Sequence, residues 1–171
     1  LLIITLDEPV TTRSFIDRFL VSAYANNVNV VLIFNKKDLL SQKLLEKQNY
    51  LKNVYQKIGY EVFCISCLND DLSKLKNVMK NKLNMISGHS GVGKSTLINR
   101  IQPTLNINTK PISISHNQGK HTTTHSEIFD LDCGGSVIDT PGIRGFGLID
   151  ISLEHIKSSF FEFLNFSKNC K

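Results

Sequence analysis

The stretch Gly88-His89-Ser90-Gly91-Val92-Gly93-Lys94-Ser95 decides the fold class of this chain. It follows the short segment Asn84-Met85-Ile86-Ser87 and continues into Thr96-Leu97-Ile98, so a strand, a glycine-rich turn and a helix succeed one another. In that context backbone N–H groups at a helix N-terminus surround a phosphate group. Gly91 and Gly93 let the backbone approach the phosphate closely. The stretch therefore predicts a phosphate-binding loop.

This loop predicts which atoms meet a nucleoside triphosphate. Lys94 is expected to bridge the β- and γ-phosphate oxygens, and the Ser95 hydroxyl is expected to hold Mg²⁺. By itself the loop indicates only a triphosphate, because ATPases, kinases and helicases share it. The residues expected to contact the nucleotide here are Gly88, His89, Ser90, Gly91, Val92, Gly93, Lys94, Ser95 and Thr96.

A second motif, Asn35-Lys36-Lys37-Asp38, predicts which base is bound. It directly follows the apolar run 28–34, which reads as a strand. The Asp38 carboxylate can accept hydrogen bonds from N1–H and the exocyclic amine of guanine, whereas adenine offers an acceptor at N1 and would leave the carboxylate unpaired. Lys36 is expected to lie along the base, and Asn35 to tie this turn to the phosphate loop. The ligand is therefore predicted to be GTP or GDP.

A third segment, Ser66-Cys67-Leu68, follows the predicted strand 61–65. It occupies the place of the loop that backs the base in GTP-binding domains. The N–H of Cys67 is expected to donate to guanine O6. Cys64 and Cys67 have the CxxC spacing, but a second ligand pair for zinc is missing and Cys64 ends a strand, so neither a zinc site nor a redox pair is predicted.

The segment Asp139-Thr140-Pro141-Gly142 follows the predicted strand 135–138. Asp139 is expected on the magnesium side, acting through a bound water, and Gly142 is expected to sense the γ-phosphate. Among three adjacent threonines of the preceding loop, Thr123 is the first choice as a magnesium ligand and Thr124 the second.

The order of these motifs decides the topology. The base reader precedes the phosphate loop, the reverse of the usual order, which predicts a circularly permuted domain. A coarse reading of apolar runs and turn residues predicts strands at 1–6, 28–34, 61–65, 82–87, 125–131 and 135–138 and helices at 12–26, 41–58, 71–80 and 94–101. The expected fold is α/β, a Ras-like P-loop GTPase domain whose mostly parallel sheet has helices on both faces and one antiparallel edge pair.

Composition limits the partners. The net charge of +5 suits a polyanion such as RNA, but an ordinary lysine-rich surface reaches the same value. No apolar run approaches the ~20 residues that span a bilayer, and no secretion signal is evident, so a cytoplasmic protein without membrane contact is expected. Nothing suggests a disulfide framework, which fits a reducing compartment.

The motifs together resemble one family. The phosphate loop with Thr96-Leu97-Ile98-Asn99, the run Gly119-Lys120-His121-Thr122-Thr123-Thr124-His125, and the run Asp139 to Leu148 look like the RsgA (YjeQ) family of permuted GTPases. Lys120 stands where the family usually has Arg. The resemblance implies a GTP hydrolase of small (30S) ribosomal subunit maturation, with the subunit and its rRNA as partners and a monomeric state.

The resemblance also implies a domain organisation. Residues 1–150 would form the permuted GTPase domain, and residues 151–171 the helical start of a truncated zinc-binding domain, with Cys170 as the first ligand of one Zn²⁺ in the intact protein. The family's N-terminal OB-fold is not contained in this chain. Because the chain begins at Leu1 with an apolar run, we expect it to be a fragment.

The catalytic residue is predicted from an absence. Ile143 stands where Ras-like enzymes place a water-orienting glutamine, and its side chain cannot orient water. His121, directly before the threonines, is the predicted catalytic residue, and His125 is the alternative. Two other functions remain open: a regulatory GTP-binding module with little turnover, and a permuted GTPase of large-subunit assembly, against which the His-Thr-Thr-Thr run argues.

Overall fold

The computed structural model describes residues 1–107, 126–143, 147–148 and 152–160, together with Phe163 and Ser167. The strands are β1 (Leu2–Ile4), β2 (Val31–Phe34), β3 (Glu61–Cys64), β4 (Lys82–Ile86), β5 (Glu127–Asp130) and β6 (Gly135–Asp139). The helices are α1 (Arg13–Ala25), α2 (Gln42–Ile58), α3 (Ser73–Met79), α4 (Lys94–Ile101) and α5 (Leu153–Ser158).

The strands form two groups of three, which meet where β1 lies beside β4. Strands β1, β2 and β3 are parallel neighbours in that order. Strand β6 lies between β4, to which it is parallel, and β5, to which it is antiparallel. The Ile3 N–H donates to the Ser87 carbonyl at 2.8 Å, and the Ser87 N–H donates to the Leu1 carbonyl at 2.9 Å. These bonds join the groups in the order β3-β2-β1-β4-β6-β5.

Helices cover both faces of this sheet, as predicted. Alternate residues of β1 enter different cores: Ile3 packs with α3 and α4, whereas Leu2 and Ile4 pack with α1 and α2. The same alternation separates Ile33 from its neighbours in β2. A strand buried on both faces reads as a continuous apolar run, which explains why the periodicity of these segments is weak.

The predicted elements are confirmed, but several ends lie inside the predicted limits. The predicted strand at 28–34 begins only at Val31, because the Val28 N–H donates to the Ala23 carbonyl at 2.8 Å. Asn27 has a φ of 55°, the left-handed conformation that ends helices. Val28 therefore belongs to the turn that closes α1 and not to β2, and its side chain is 53% exposed.

The boundary predicted at residue 150 stays a prediction. Beyond it the structure contains α5, which lies near α1, and a contact between the Phe160 and Phe163 rings at 5.1 Å. In the described part of the chain, no helix combines the length and the apolar character needed to cross a membrane.

Candidate guanine nucleotide site

The phosphate loop has the geometry that its sequence predicts. It connects β4 to α4, and α4 begins at Lys94 with Gly93 as its N-cap at a φ of 101°. A side chain at Gly88 would place its Cβ 2.6 Å from the Ile3 carbonyl oxygen, so only glycine fits where the loop leaves the sheet. The glycines allow the chain to turn tightly against β1 and to place backbone N–H groups at the N-terminus of α4, where such groups bind phosphate.

The Lys94 side chain folds back onto the phosphate loop. Its ammonium donates to the carbonyls of Gly88 at 3.0 Å and His89 at 2.9 Å, and the residue is only 7% exposed. Burial lowers the pKa of Lys94 to about 8, and the negative charge of Asp139 opposes that change. The ammonium therefore lies on the loop carbonyls, within the electrostatic influence of the Asp139 carboxylate.

Asn35 links three loops. Its Nδ2 donates to the Val92 carbonyl at 2.8 Å, which is the predicted tie to the phosphate loop. Its Oδ1 accepts from the Cys67 N–H at 3.0 Å. The Cys67 N–H, which the sequence assigned to guanine O6, therefore has Asn35 as its acceptor in this structure. Burial raises the pKa of the Cys67 thiol to about 12, so the thiol stays protonated.

Lys36 lies at the edge of a pocket between the base-reading turn and the loop after β1. Its φ is 61°, and its Nζ donates to the Glu8 carbonyl at 2.7 Å. Burial lowers its pKa, although Glu8, Asp7 and Asp38 act in the opposite direction. The residues that line the pocket are Thr5, Leu6, Asp7, Glu8, Asn35, Lys36, Leu39 and Leu40. The alkyl stem of Lys36, which is predicted to cover the base, therefore lies beside this pocket.

Asp70 is a site residue that sequence reasoning missed. Its carboxylate accepts from Lys37 at 2.7 Å and from the Ser66 N–H at 3.0 Å, so it joins the two loops that are predicted to lie near the base. The hydrogen bond from Lys37 is the main cause that lowers the pKa of Asp70. The signal available in the sequence was an acidic residue four positions after Ser66, which many surface turns share.

Arg100, in the last turn of α4, is the second missed residue. Its Nε donates to the Cys67 carbonyl at 3.0 Å, and its terminal nitrogen donates to the Asp70 carbonyl at 3.2 Å. Both bonds attach the loop at Cys67, which is predicted to back the base, to the helix that follows the phosphate loop. Asp38, which the sequence predicts to read the base, has one carboxylate oxygen 3.3 Å from Asn69 Nδ2.

The segment after β6 lies directly against the phosphate loop. Asp139 pairs with Ile86 in the register of β6 and β4 and is 1% exposed. Thr140 donates from Oγ1 to the Ile86 carbonyl at 2.7 Å. A Cβ on Gly142 would lie 2.7 Å from the Ser90 nitrogen, so this position has no room for a side chain. Gly142, which is predicted to sense the γ-phosphate, therefore lies beside the phosphate loop.

The donor set suits a small hard cation. Ser95, in the first turn of α4, offers a hydroxyl, and the buried Asp139 offers a carboxylate, the oxygen ligands that Mg²⁺ prefers. In the described ranges no three His, Cys, Asp or Glu side chains converge to bind a metal. The other predicted residues lie outside the described part of the chain: His121, Thr123, Thr124, His125 and Cys170.

Comparison with known proteins agrees with this geometry. The family model described as RsgA GTPase matches residues 1–149. The chain is 48% identical over 171 residues to the small ribosomal subunit biogenesis GTPase RsgA of Flavobacterium psychrophilum, covering 99% of this chain and 52% of that protein. It is 46% identical over 172 residues to the protein of the same name from Phocaeicola vulgatus, covering 100% of this chain and 56% of the relative.

Two crystal structures have the same fold. YjeQ from Thermotoga maritima is 34% identical with a TM-score of 0.77, and the match covers 95% of this chain and 54% of that one. YloQ, described as a circularly permuted GTPase, is 28% identical with a TM-score of 0.74, and the match covers 99% of this chain and 53% of that one. The chain spans about half the length of the curated relatives that it matches. From its motifs, their permuted order and these matches, the chain belongs to the RsgA GTPase family.

Proposed function

We propose that this chain is the nucleotide-binding part of a GTP hydrolase that acts in maturation of the small (30S) ribosomal subunit. The observation that carries the proposal is the position of Asn35, whose side chain joins the base-reading turn to the phosphate loop and to the loop at Cys67. The relatives are named small ribosomal subunit biogenesis GTPases, which supports the biological role.

Different residues of the site are proposed to bind the base, the phosphates and Mg²⁺. Asp38 reads the guanine edge, and backbone N–H groups of the loop from Gly88 to Ser95 bind the phosphates, with Lys94 at the β- and γ-phosphate oxygens. Ser95, Thr123 and, through a water, Asp139 are proposed to hold Mg²⁺. When bound, Mg²⁺ neutralises the charge that develops on the phosphate oxygens during transfer.

His121 is proposed as the catalytic residue. The Ile143 side chain packs against the apolar cluster around Phe15, so it supplies no polar group to an attacking water. In the variant His121→Ala, kcat should fall ~10²-fold while GTP affinity stays within a few-fold, since the group acts in the transition state. The variant His125→Ala is the matched control. A larger loss from His125→Ala would move the assignment to that residue.

The small subunit and its rRNA are the proposed partners in the bacterial cytoplasm, and GTP hydrolysis is proposed to release the protein from the subunit. The intact protein is proposed to hold one Zn²⁺ with Cys170 among its ligands and to act as a monomer. The test is a GTPase assay of the full-length protein with each ribosomal subunit separately. We expect multiple turnovers that are stimulated by the small subunit and not by the large subunit.

Two results would contradict the proposal. Tight GTP binding without multiple turnovers in the presence of either subunit would make the protein a regulatory GTP-binding module. Stimulation by the large subunit alone would make it a factor of large-subunit assembly.

A further inference from the structure

The His89 side chain leaves the phosphate loop and reaches the segment after β6. Its backbone carbonyl accepts from Lys94 at 2.9 Å, so the main chain of this residue belongs to the loop. Its Nδ1 lies 2.6 Å from the Ile143 carbonyl oxygen. Because a carbonyl oxygen can only accept, Nδ1 is the atom that carries the proton in this contact. The imidazole therefore donates to Ile143.

The Ile143 residue is held at both of its backbone polar groups. Its N–H donates to the Gly88 carbonyl at 3.1 Å, while its carbonyl accepts from His89. The preceding residue, Gly142, touches Ser90 so closely that a Cβ would lie 2.7 Å from the Ser90 nitrogen. Three successive residues of the phosphate loop thus contact two successive residues of the segment after β6.

The position of the imidazole is defined by packing. The Phe15 ring lies 4.2 Å from the His89 ring, centroid to centroid, with the two planes tilted by 40°. Phe15 is 2% exposed in α1, so it provides a fixed surface. The Ile143 side chain packs against the apolar cluster that contains Phe15. The donor nitrogen is therefore aimed at Ile143 by a contact that does not involve the nucleotide.

We propose that His89 is a positioning residue that seats the Gly142–Ile143 peptide on the phosphate loop and thereby raises the preference of the site for GTP over GDP. This inference rests on the proposed function, since it assumes that the site binds guanine nucleotides. The third phosphate is the group that orders the segments next to the phosphate loop in GTPases. A segment that is already seated has less conformational freedom to lose when that phosphate binds.

Three variants separate the hydrogen bond from the packing of the ring. The variant His89→Ala removes both. The variant His89→Phe keeps a ring against Phe15 but has no donor. The variant His89→Asn places an amide N–H near the position of Nδ1 and so keeps the donor. The measurement is the ratio of two affinities, for a non-hydrolysable GTP analogue and for GDP, each titrated with excess Mg²⁺.

The expected result is a fall of the GTP-analogue-to-GDP affinity ratio by about 5- to 10-fold in His89→Ala and His89→Phe, the effect of one lost hydrogen bond. In His89→Asn the ratio should stay within about twofold of the unaltered protein, since the donor is retained. Thermal melting of each variant identifies any that fails to fold. If His89→Ala does not fold, the comparison of His89→Asn with His89→Phe decides.

Two results would overturn the proposal. A parallel fall of both affinities, with an unchanged ratio, would mean that His89 only supports the phosphate loop. An equal ratio in folded His89→Asn and His89→Phe would mean that the Nδ1 bond has no part in discrimination. If the unaltered protein binds neither nucleotide, the proposed function itself fails, and that outcome is distinct from both.

Discussion

The Asn35 Nδ2 lies 2.8 Å from the carbonyl oxygen of Val92, a residue 57 positions further along the chain. Val92 is in the middle of the phosphate loop, whereas Asn35 opens the base-reading turn. The other amide atom of Asn35 accepts from the Cys67 N–H. One buried side chain therefore holds together the parts of the site that would bind the base and the phosphates.

Replacement of Asn35 by Ala should weaken nucleotide binding and the fold together. Two buried hydrogen bonds are lost, so we expect the free energy of unfolding to fall by about 1–3 kcal/mol and GDP affinity to fall by ~10-fold or more. Urea denaturation and titration with a fluorescent GDP derivative measure the two effects. The control is Asn69→Ala, an exposed amide with one 3.3 Å contact, which should cost far less stability. An equal loss of stability in both variants would contradict the role of Asn35.

The variant Asp38→Asn should change base preference. The new amide has one acceptor oxygen and one NH₂ donor, so it cannot accept from both guanine N1–H and the exocyclic amine. It can donate to the C2 oxygen of xanthine, so GTP binding should weaken by ~10²-fold or more and xanthosine triphosphate should be preferred. Competition titrations with both nucleotides measure the change. Asp71→Asn is the control, because its carboxylate accepts from the N–H and the hydroxyl of Ser73 rather than from a residue of the base-reading turn. Unchanged GTP affinity in Asp38→Asn would show that another residue reads the base.

The pKa of Lys94, lowered to about 8 by burial, predicts how GDP affinity depends on pH. Phosphate oxygens favour the charged ammonium, so a bound nucleotide raises this pKa above its value in the free protein. Below pH 8 the lysine is charged in both forms, and affinity should be level. Above pH 8 binding takes up a proton, so affinity should fall by up to ~10-fold per pH unit.

Lys94→Arg is the matched control for this pH dependence. Its guanidinium stays charged throughout the range, so any change that remains belongs to the nucleotide or to other groups. Titrations between about pH 7 and pH 9 suffice, since the pKa lies inside this range. Superimposable profiles for the two proteins would show that Lys94 does not lose its proton there.

The variant Gly142→Ala should separate the segment after β6 from the phosphate loop. Its Cβ would meet three atoms of Ser90 at 2.7–2.9 Å, and relief of such a clash costs about 1–3 kcal/mol. We expect lower affinity for a GTP analogue and a lower free energy of unfolding. The control is Gly59→Ala at the end of α2, where φ is +116° but nothing lies within 4 Å. This change should reduce stability through backbone strain and leave nucleotide affinity intact; a loss of affinity there would undermine the comparison.

Much of the fold follows from contiguous sequence. The phosphate loop is encoded by glycines within eight residues, and the apolar runs at 28–34 and 61–65 predict strands because they are short and bounded by polar turns. The motif order alone indicates the permutation. The ends of elements were less predictable: Val28 continues the apolar run but is bonded to the end of α1, a choice that depends on the turn at Asn27.

Sequence alone therefore determined the α/β architecture and predicted the class of ligand, because both depend on backbone conformations that neighbouring residues encode. Only the tertiary structure decided that Asp70 and Arg100 brace the loop at Cys67 and that His89 donates to Ile143. These contacts join residues distant in sequence and common in composition. The reason is that the parallel sheet brings the carboxyl ends of its strands to one edge, and the side chains that meet there are selected by packing rather than by local spacing.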